Sequence, residues 1–136
     1  MLSVEALIAR ATSVLNPRPL GENFGGQVAA ALVTDQGNVY LGVCMDISSG
    51  IGFCAEHSAI AAMVTAGESR ISRIVAVKKD QDNRVSILAP CGRCREFIRQ
   101  IHPENLTTQV ILSPDKVLPL ADLLPYYDWS QKLENS

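Results

Sequence analysis

Residues 54–67, CAEHSAIAAMVTAG, combine the composition of a helix with three chemically active side chains at its start. Alanine and other good helix formers fill the stretch, and Gly67 is a natural C-cap, so the sequence predicts an α-helix. Cys54, Glu56 and His57 lie at the head of that helix. A carboxylate is costly to bury unless it has a partner or a function. The head of this helix is therefore the first candidate site.

The segments around this helix alternate between helical and strand patterns. Apolar residues at helical spacing, turn residues such as those of TDQGN (residues 34–38), and prolines mark the boundaries. Predicted helices cover 2–15, 54–67, 91–102 and 120–129, and predicted strands cover two runs within 28–45, then 71–79, 85–90 and 108–113. A loop is predicted from 17 to 26. This order favours an α/β fold over residues 1–136, a single domain with a central mixed sheet of about five strands and helices on both faces.

The composition excludes several classes of function. Hydrophobic residues make up 47% of the chain and charged residues 19%, and the net charge of -2 offers no basic surface for nucleic acid. We expect no bulk nucleic-acid partner and no membrane association, because no apolar run reaches spanning length. Glu5 and Arg10 would interrupt any signal peptide, so a cytoplasmic location is expected.

A second group of cysteines begins another predicted helix. Cys91 and Cys94 share a face in its first turn, and Cys54 begins the earlier helix in the same way. Backbone N–H groups at helix N-termini favour thiolates. Three thiolates suit Zn²⁺, which is catalytic when a water molecule takes the fourth position. The sequence therefore predicts one zinc ion per chain held by Cys54, Cys91 and Cys94.

Glu56 fits the position of a general base in such a site. It follows Cys54 by two residues, so it could reach a zinc-bound water if Cys54 lies at the helix cap. The thiolates and Glu56 together carry more negative charge than zinc neutralises, so a nearby cation is expected. Arg95 shares a face with Cys91 and is the candidate, with a surface role as the alternative, and His57 is expected to pack beside the site. Arg93 and Arg99 are weaker candidates for the same role, with a solvated helix face as the alternative, and His102 is expected at the surface or at a cap.

Two other interpretations remain open on these residues alone. A structural zinc site needs a fourth protein ligand, for which Cys44 or His57 would be the candidates. The Cys-x-x-Cys pair could instead be a redox centre, although PCGRC lacks the usual proline before the second cysteine. The combination of Cys-Ala-Glu with a later Pro-Cys-x-x-Cys favours the catalytic interpretation.

GNVYLGV, CAEHSAI, LAPCGRCREFI and LADLLP resemble the cytidine deaminase family in order and spacing, and PCGRCR with a following HP resembles its blasticidin-S deaminase branch. The resemblance implies a three-layer α/β/α sandwich, three cysteine ligands with Glu56 as proton carrier, ring contacts from the backbone near Ala55, and a homotetramer with shared active sites. It also implies zinc-dependent hydrolytic deamination of a cytosine-type nucleoside. The alternatives are an antibiotic nucleoside of the blasticidin-S type, and a free base or another amino-heterocycle.

The chain departs from that family at two places that contact the substrate. Cys44-Met45-Asp46 stands where the family has Asn-x-Glu for the ribose, so Asp46 is expected to accept a sugar hydroxyl beside Cys44. Gly26 stands where the family has an aromatic residue beside the base, and Phe24 is the candidate to replace it. The tail PYYDW, with Tyr126, Tyr127 and Trp129, is expected to complete a neighbour's site in the tetramer. Its alternative role is to cover the chain's own surface.

Overall fold

The computed structural model describes residues 2–134, and these form a mixed sheet with helices on both faces. The helices are α1 (Val4–Ser13), α2 (Ala55–Thr65), α3 (Gly92–Ile101) and α4 (Leu120–Leu123). The strands are β1 (Arg18–Leu20), β2 (Asn23–Thr34), β3 (Val39–Asp46), β4 (Ile71–Lys79), β5 (Val85–Leu88), β6 (Gln109–Ser113) and β7 (Lys116–Pro119). Short 3-10 turns follow β3 and α3, at Ser48–Gly50 and Pro103–Thr107.

The sheet is mixed because one of its pairings is parallel. The main path runs β1-β2-β4-β6-β7, while β3 pairs with β2 and β5 pairs with β4. Only the β4 and β6 pair is parallel among the pairings of the described residues, and α3 lies in the connection between those strands. A crossover helix is the usual way to join parallel neighbours. The predicted mixed sheet is thus confirmed, with seven strands instead of about five.

Alternating side chains of the central strands divide the core between two layers. On β2, Ala29, Ala31 and Val33 pack with α1 on one face. Ala30 and Leu32 face the opposite way, toward α2 and α3. Because β4 alternates in the same manner, each face of the sheet buries its own apolar cluster. This arrangement confirms the three-layer sandwich and places α2 and α3 side by side on one face.

The sequence prediction was wrong at both ends of the chain. The segment predicted as a loop up to Gly26 contains β1 and the start of β2, because Arg18–Leu20 pairs with residues 23–25 around a tight turn at Gly21. Toward the other end, β7 pairs with β6 where no strand was predicted. The last helix ends at Leu123, and the aromatic tail beyond Pro125 is irregular. Short edge strands such as β1 carry too few residues for a period-2 pattern to be recognised.

Candidate active site

The three predicted zinc ligands meet where α2 and α3 begin. Cys54 is the N-cap of α2 and Cys91 is the N-cap of α3, and both have extended backbone conformations that direct their side chains off the helix ends. Cys94 lies one turn into α3 and is fully buried. Inside a helix, residues two apart such as Cys54 and Glu56 would lie on opposite sides. Because Cys54 is at the cap, both side chains can face the same site.

The spacing of the sulfur atoms fits zinc. The Sγ atoms of Cys54 and Cys91 are 3.8 Å apart, those of Cys91 and Cys94 are 3.6 Å apart, and all three lie within 4.8 Å of one another. Zn–S bonds of about 2.3 Å in a tetrahedron place two sulfurs about 3.8 Å apart. The donor set therefore has the dimensions as well as the soft chemistry that zinc prefers.

The protein surroundings alone do not favour three thiolates. Burial raises the pKa of the Cys54 and Cys94 thiols. Burial also acts to raise the pKa of Cys91, but hydrogen bonds from the N–H groups of Cys94 and Arg93 and from the other two thiols bring that pKa below its ordinary value. A bound cation is what would deprotonate all three groups together.

Glu56 lies in the first turn of α2 with only 6% of its surface exposed. Burial raises the pKa of its carboxyl group, while its own backbone N–H and the Cys94 thiol act in the opposite direction. Glu56 also lines the cavity that contains the cysteines. A buried carboxyl group beside a metal site, with a pKa above its ordinary value, is suited to accept and return protons.

The alternative ligands for a closed structural site lie outside the cluster. Within residues 2–134, the one group of three or more His, Cys, Asp or Glu side chains close enough to hold a metal consists of Cys54, Cys91 and Cys94. The ring of His57 is buried and packs edge-on against Phe97, with ring centroids 4.2 Å apart. This is the packing role that was expected of His57. Burial lowers the pKa of His57. The structure thus offers three protein ligands and an open fourth position.

Arg95 has different partners from the thiolate that the sequence suggested. Its guanidinium donates to the carbonyl of Pro90 at 2.8 Å and to that of Leu123 at 3.0 Å. These hydrogen bonds hold Pro90, the residue before Cys91, and connect α3 to the end of α4. Arg95 is half-buried, which excludes the fully exposed alternative, and its role as a partner of the thiolates stays a prediction.

The other basic residues divide between the site and the surface. Arg93 is exposed but lines the cavity, whereas Arg99 pairs with Glu96 and stacks against the tail. His102 caps the turn after α3, where its Nδ1 accepts from the N–H of Glu104 at 3.1 Å. The expected capping role of His102 is therefore confirmed.

The cavity in front of the cysteines has a volume of about 660 Å³, which is in the range of small-molecule sites. Three of the predicted substrate contacts, Cys44, Asp46 and Ala55, line it. Apolar walls that the sequence analysis did not identify come from Val28, Ala76 and Leu88. These three residues belong to three different strands, so no local motif marked them.

Phe24 and Trp129 do not line the cavity of this chain. Phe24 is 42% exposed and pairs across the sheet with Asp46, which places both side chains on the same face. Trp129 is 72% exposed, and its ring lies 5.1 Å from the guanidinium of Arg99. Tyr127 contacts the same guanidinium at 5.2 Å. Within one chain, Tyr127 and Trp129 therefore contact Arg99 of α3 while Trp129 stays largely exposed, and both expectations for the tail stay predictions.

Gly26 has no room for the aromatic side chain that the resembled family carries at this place. Its φ is +80°, and a Cβ atom added to it would lie 2.0 Å from the carbonyl oxygen of Asn16. The sequence analysis also missed Gln27, which lines the cavity and donates to Asp46. Its orientation depends on an irregular pairing of β2 with β3, which is invisible in the strand pattern.

None of the helices described between residues 2 and 134 is long and apolar enough to cross a membrane.

Comparison with known proteins agrees with this geometry. Residues 5–110 match the family described as the cytidine and deoxycytidylate deaminase zinc-binding region. The cytidine deaminase of Mycobacterium tuberculosis is 33% identical over 99 residues, which cover 72% of this chain and 69% of the relative. The blasticidin-S deaminase of Bacillus cereus is 33% identical over 90 residues, which cover 62% of this chain and 64% of the relative.

Solved structures show the same fold. The crystal structure of cytidine deaminase from Mycobacterium leprae has a TM-score of 0.73 and 26% identity, and the match covers 92% of this chain and 99% of that one. Cytidine deaminase from Burkholderia pseudomallei gives a TM-score of 0.72 and 28% identity, with 92% and 98% coverage. Both the zinc prediction and the family resemblance are thereby confirmed. The chain belongs to the cytidine and deoxycytidylate deaminase family of zinc-dependent hydrolases.

Proposed function

We propose that the protein hydrolyses the exocyclic amino group of a cytosine nucleoside, giving the uracil nucleoside and ammonia. The observation that carries this proposal is the buried Glu56 beside Cys54, Cys91 and Cys94 in one cavity. The three cysteines would hold the zinc ion, which when bound supplies the Lewis acidity that makes a water molecule nucleophilic near neutral pH.

Glu56 moves the protons in the proposed reaction. Its carboxylate takes a proton from the attacking water and delivers it to the ring nitrogen while the water oxygen bonds to C4. It then transfers the second water proton to the amino group, so the C4–N bond breaks and ammonia leaves as the C4 carbonyl forms. Glu56 ends as it began, so the hydrolysis consumes only water. The raised pKa of the buried carboxyl group supports both proton transfers.

The cavity walls orient the ring in this proposal. The backbone at Ala55 and Cys91, at the beginnings of α2 and α3, would hold the ring next to Glu56. Apolar side chains from β2, β4 and β5 also line the cavity and would exclude water from around the ring. Asp46 stands at the exposed end of the cavity, where a sugar would lie.

An antibiotic nucleoside of the blasticidin-S type is the second candidate substrate. The relative in Bacillus cereus and the replacement of the expected asparagine by Cys44 favour it. A panel of cytidine, deoxycytidine, blasticidin S and free cytosine, followed by ammonia release, separates the candidates. We expect turnover of at least one cytosine nucleoside, and the absence of turnover with the entire panel would overturn the substrate class.

We further propose a homotetramer in the cytoplasm. Support comes from large apolar side chains at the surface, including Ile51 at 71% exposure, Tyr126 at 99% and Trp129 at 72%. In the tetramer, Trp129 would contribute to a neighbour's site. Sedimentation of the wild type and of Trp129→Ala, with kinetics in parallel, tests this: we expect a tetramer that the substitution weakens in assembly or substrate affinity. An active monomer would contradict the proposed tetramer.

The free thiol ligands support the cytoplasmic location, because free thiols are typical of a reducing compartment.

A further inference from the structure

The pairing of β2 with β3 is irregular beside the cavity. Gly25 pairs with Met45 and Ala29 pairs with Val43, so three residues of β2 lie opposite Cys44 alone. Such bulges change the direction of side chains and are common beside active sites. Gln27 and Val28, which are consecutive, both line the cavity. Consecutive side chains of a regular strand would point to opposite faces.

The bulge directs Gln27 onto Asp46. The amide nitrogen Nε2 of Gln27 donates to Oδ2 of Asp46 at 2.5 Å. The amide cannot rotate by half a turn without placing its own oxygen against the carboxylate, so Asp46 fixes its orientation. The remaining oxygen, Oε1 of Gln27, is buried and has no hydrogen-bond partner among the described residues. An unpartnered buried acceptor is costly and calls for an explanation.

Asp46 keeps acceptor capacity that the protein does not use. Gln27 is its one hydrogen-bond partner within residues 2–134, and a carboxylate accepts about four hydrogen bonds. The Asp46 side chain is exposed and lines the cavity, so a ligand can reach it. An exposed hydrogen bond of this kind contributes little to stability. The unpartnered Oε1 of Gln27 is therefore better explained by a role of Gln27 in positioning Asp46 than by a contribution of Gln27 to the stability of β2.

We propose that Gln27 is a positioning residue that holds Asp46 as the acceptor of a hydroxyl group on the substrate's sugar, so that the Gln27–Asp46 pair selects nucleosides over free bases. This inference rests on the proposed function, because it concerns the sugar of the same substrate. Gln27 does not touch the reacting atoms. Its loss weakens sugar binding equally in the ground state and in the transition state.

The test is a double-mutant cycle of Gln27→Met, Asp46→Ala and the combined variant, measured with cytidine and with N1-methylcytosine, which has no sugar. Methionine matches glutamine in length but cannot donate to Asp46. We expect Gln27→Met to raise the KM for cytidine about tenfold with little change in kcat, because a displaced Asp46 loses the charge-assisted hydrogen bond from the sugar. The kcat/KM for N1-methylcytosine stays unchanged. The combined variant matches Asp46→Ala alone, because alanine leaves no acceptor for Gln27 to position and both changes remove the same interaction.

Gln36→Met is the matched control, because Gln36 is exposed in the turn between β2 and β3. We expect it to behave as the wild type. If the wild type deaminates cytidine and Gln27→Met matches Gln36→Met, the inference is overturned while the proposed function stands. Equal losses with cytidine and N1-methylcytosine would also overturn it, since they indicate a general distortion. A wild-type protein that acts on no cytosine nucleoside overturns the proposed function and this inference with it.

Discussion

The sulfur atoms of Cys54 and Cys91, which cap two different helices, lie 3.8 Å apart. The two residues are 37 positions apart in the chain, so the sheet and both helices must be in place before the sulfurs can meet. Zinc affinity is therefore coupled to the packing of α2 and α3 against one sheet face.

Replacement of Cys91 by serine should abolish stoichiometric zinc binding. The variant loses a thiolate ligand, and the two remaining sulfurs form too small a donor set for tetrahedral zinc. Metal analysis after gel filtration measures the zinc content. Cys44→Ala is the control, and it should retain one zinc per chain because Cys44 lies outside the cluster. Loss of zinc in the control would instead support a closed structural site.

Glu56→Gln should keep its zinc and lose turnover by at least about a hundredfold, as expected for removal of a general acid–base group. Glutamine fills the same space but cannot accept a proton from water. Metal analysis and ammonia release are measured on the same sample. Glu22→Gln, at an exposed turn position, should leave both unchanged. An active Glu56→Gln variant would remove Glu56 from the mechanism.

Asn105→Asp should destabilise the fold by about 3 kcal/mol or more, because it leaves buried groups unpaired. The side chain is fully buried, donates to the carbonyls of Ser69 and Ile98, and accepts from the N–H of Ile71. A carboxylate cannot make the two donations. Urea unfolding followed by circular dichroism measures the loss. Asn83→Asp, in the exposed turn before β5, is the control, and a similar stability for both variants would contradict this account.

Gly26→Ala should be much more destabilising than Gly21→Ala. Both glycines have positive φ, so both substitutions carry backbone strain. Only at Gly26 would the new Cβ collide with a backbone atom, the Asn16 carbonyl, whereas no atom lies within 4 Å of a Cβ at Gly21. Thermal unfolding of the two variants gives the comparison directly. Equal melting temperatures would mean that the contact with Asn16 is easily relaxed.

Lowering the pH should destabilise the protein, in part because Glu68 becomes protonated. The hydroxyl groups of Thr34 and Tyr40 and the amide of Asn38 lower the pKa of Glu68. A depressed pKa in the folded state gives stability that is present above the unfolded pKa and is lost as the pH falls through the folded value. Tyr40→Phe, which removes a hydrogen bond of 2.7 Å to Glu68, should therefore reduce the loss of stability between neutral and acidic pH. Unfolding midpoints at several pH values test this, and an unchanged pH dependence would contradict it.

The metal site could be predicted from sequence because each part of it is local. A helix N-terminus, a cysteine at the cap and an acid two residues later are all readable in CAEHSAI, and the same holds for Cys91 and Cys94. The sheet edges and the far end of the cavity could not be predicted in this way. The position of Gln27 depends on the bulge in β2, and that of Trp129 in the irregular tail depends on the guanidinium of Arg99 in α3. Both are set by partners that are distant in the chain.

The contact between Asn16 and Gly26 crosses from one layer of the protein to another. The N–H of Asn16, just after α1, donates to the carbonyl of Gly26 at 2.9 Å, on the side of the sheet away from the cysteines. Asn16→Pro would leave every zinc ligand and Glu56 unchanged but would remove the N–H group that anchors the bulge. The zinc ligands and the anchor of the bulge thus lie in separate parts of the chain. Under the proposal for Gln27, mutations in the segment that leads out of the first helix would raise the KM for nucleosides while leaving the zinc content unchanged.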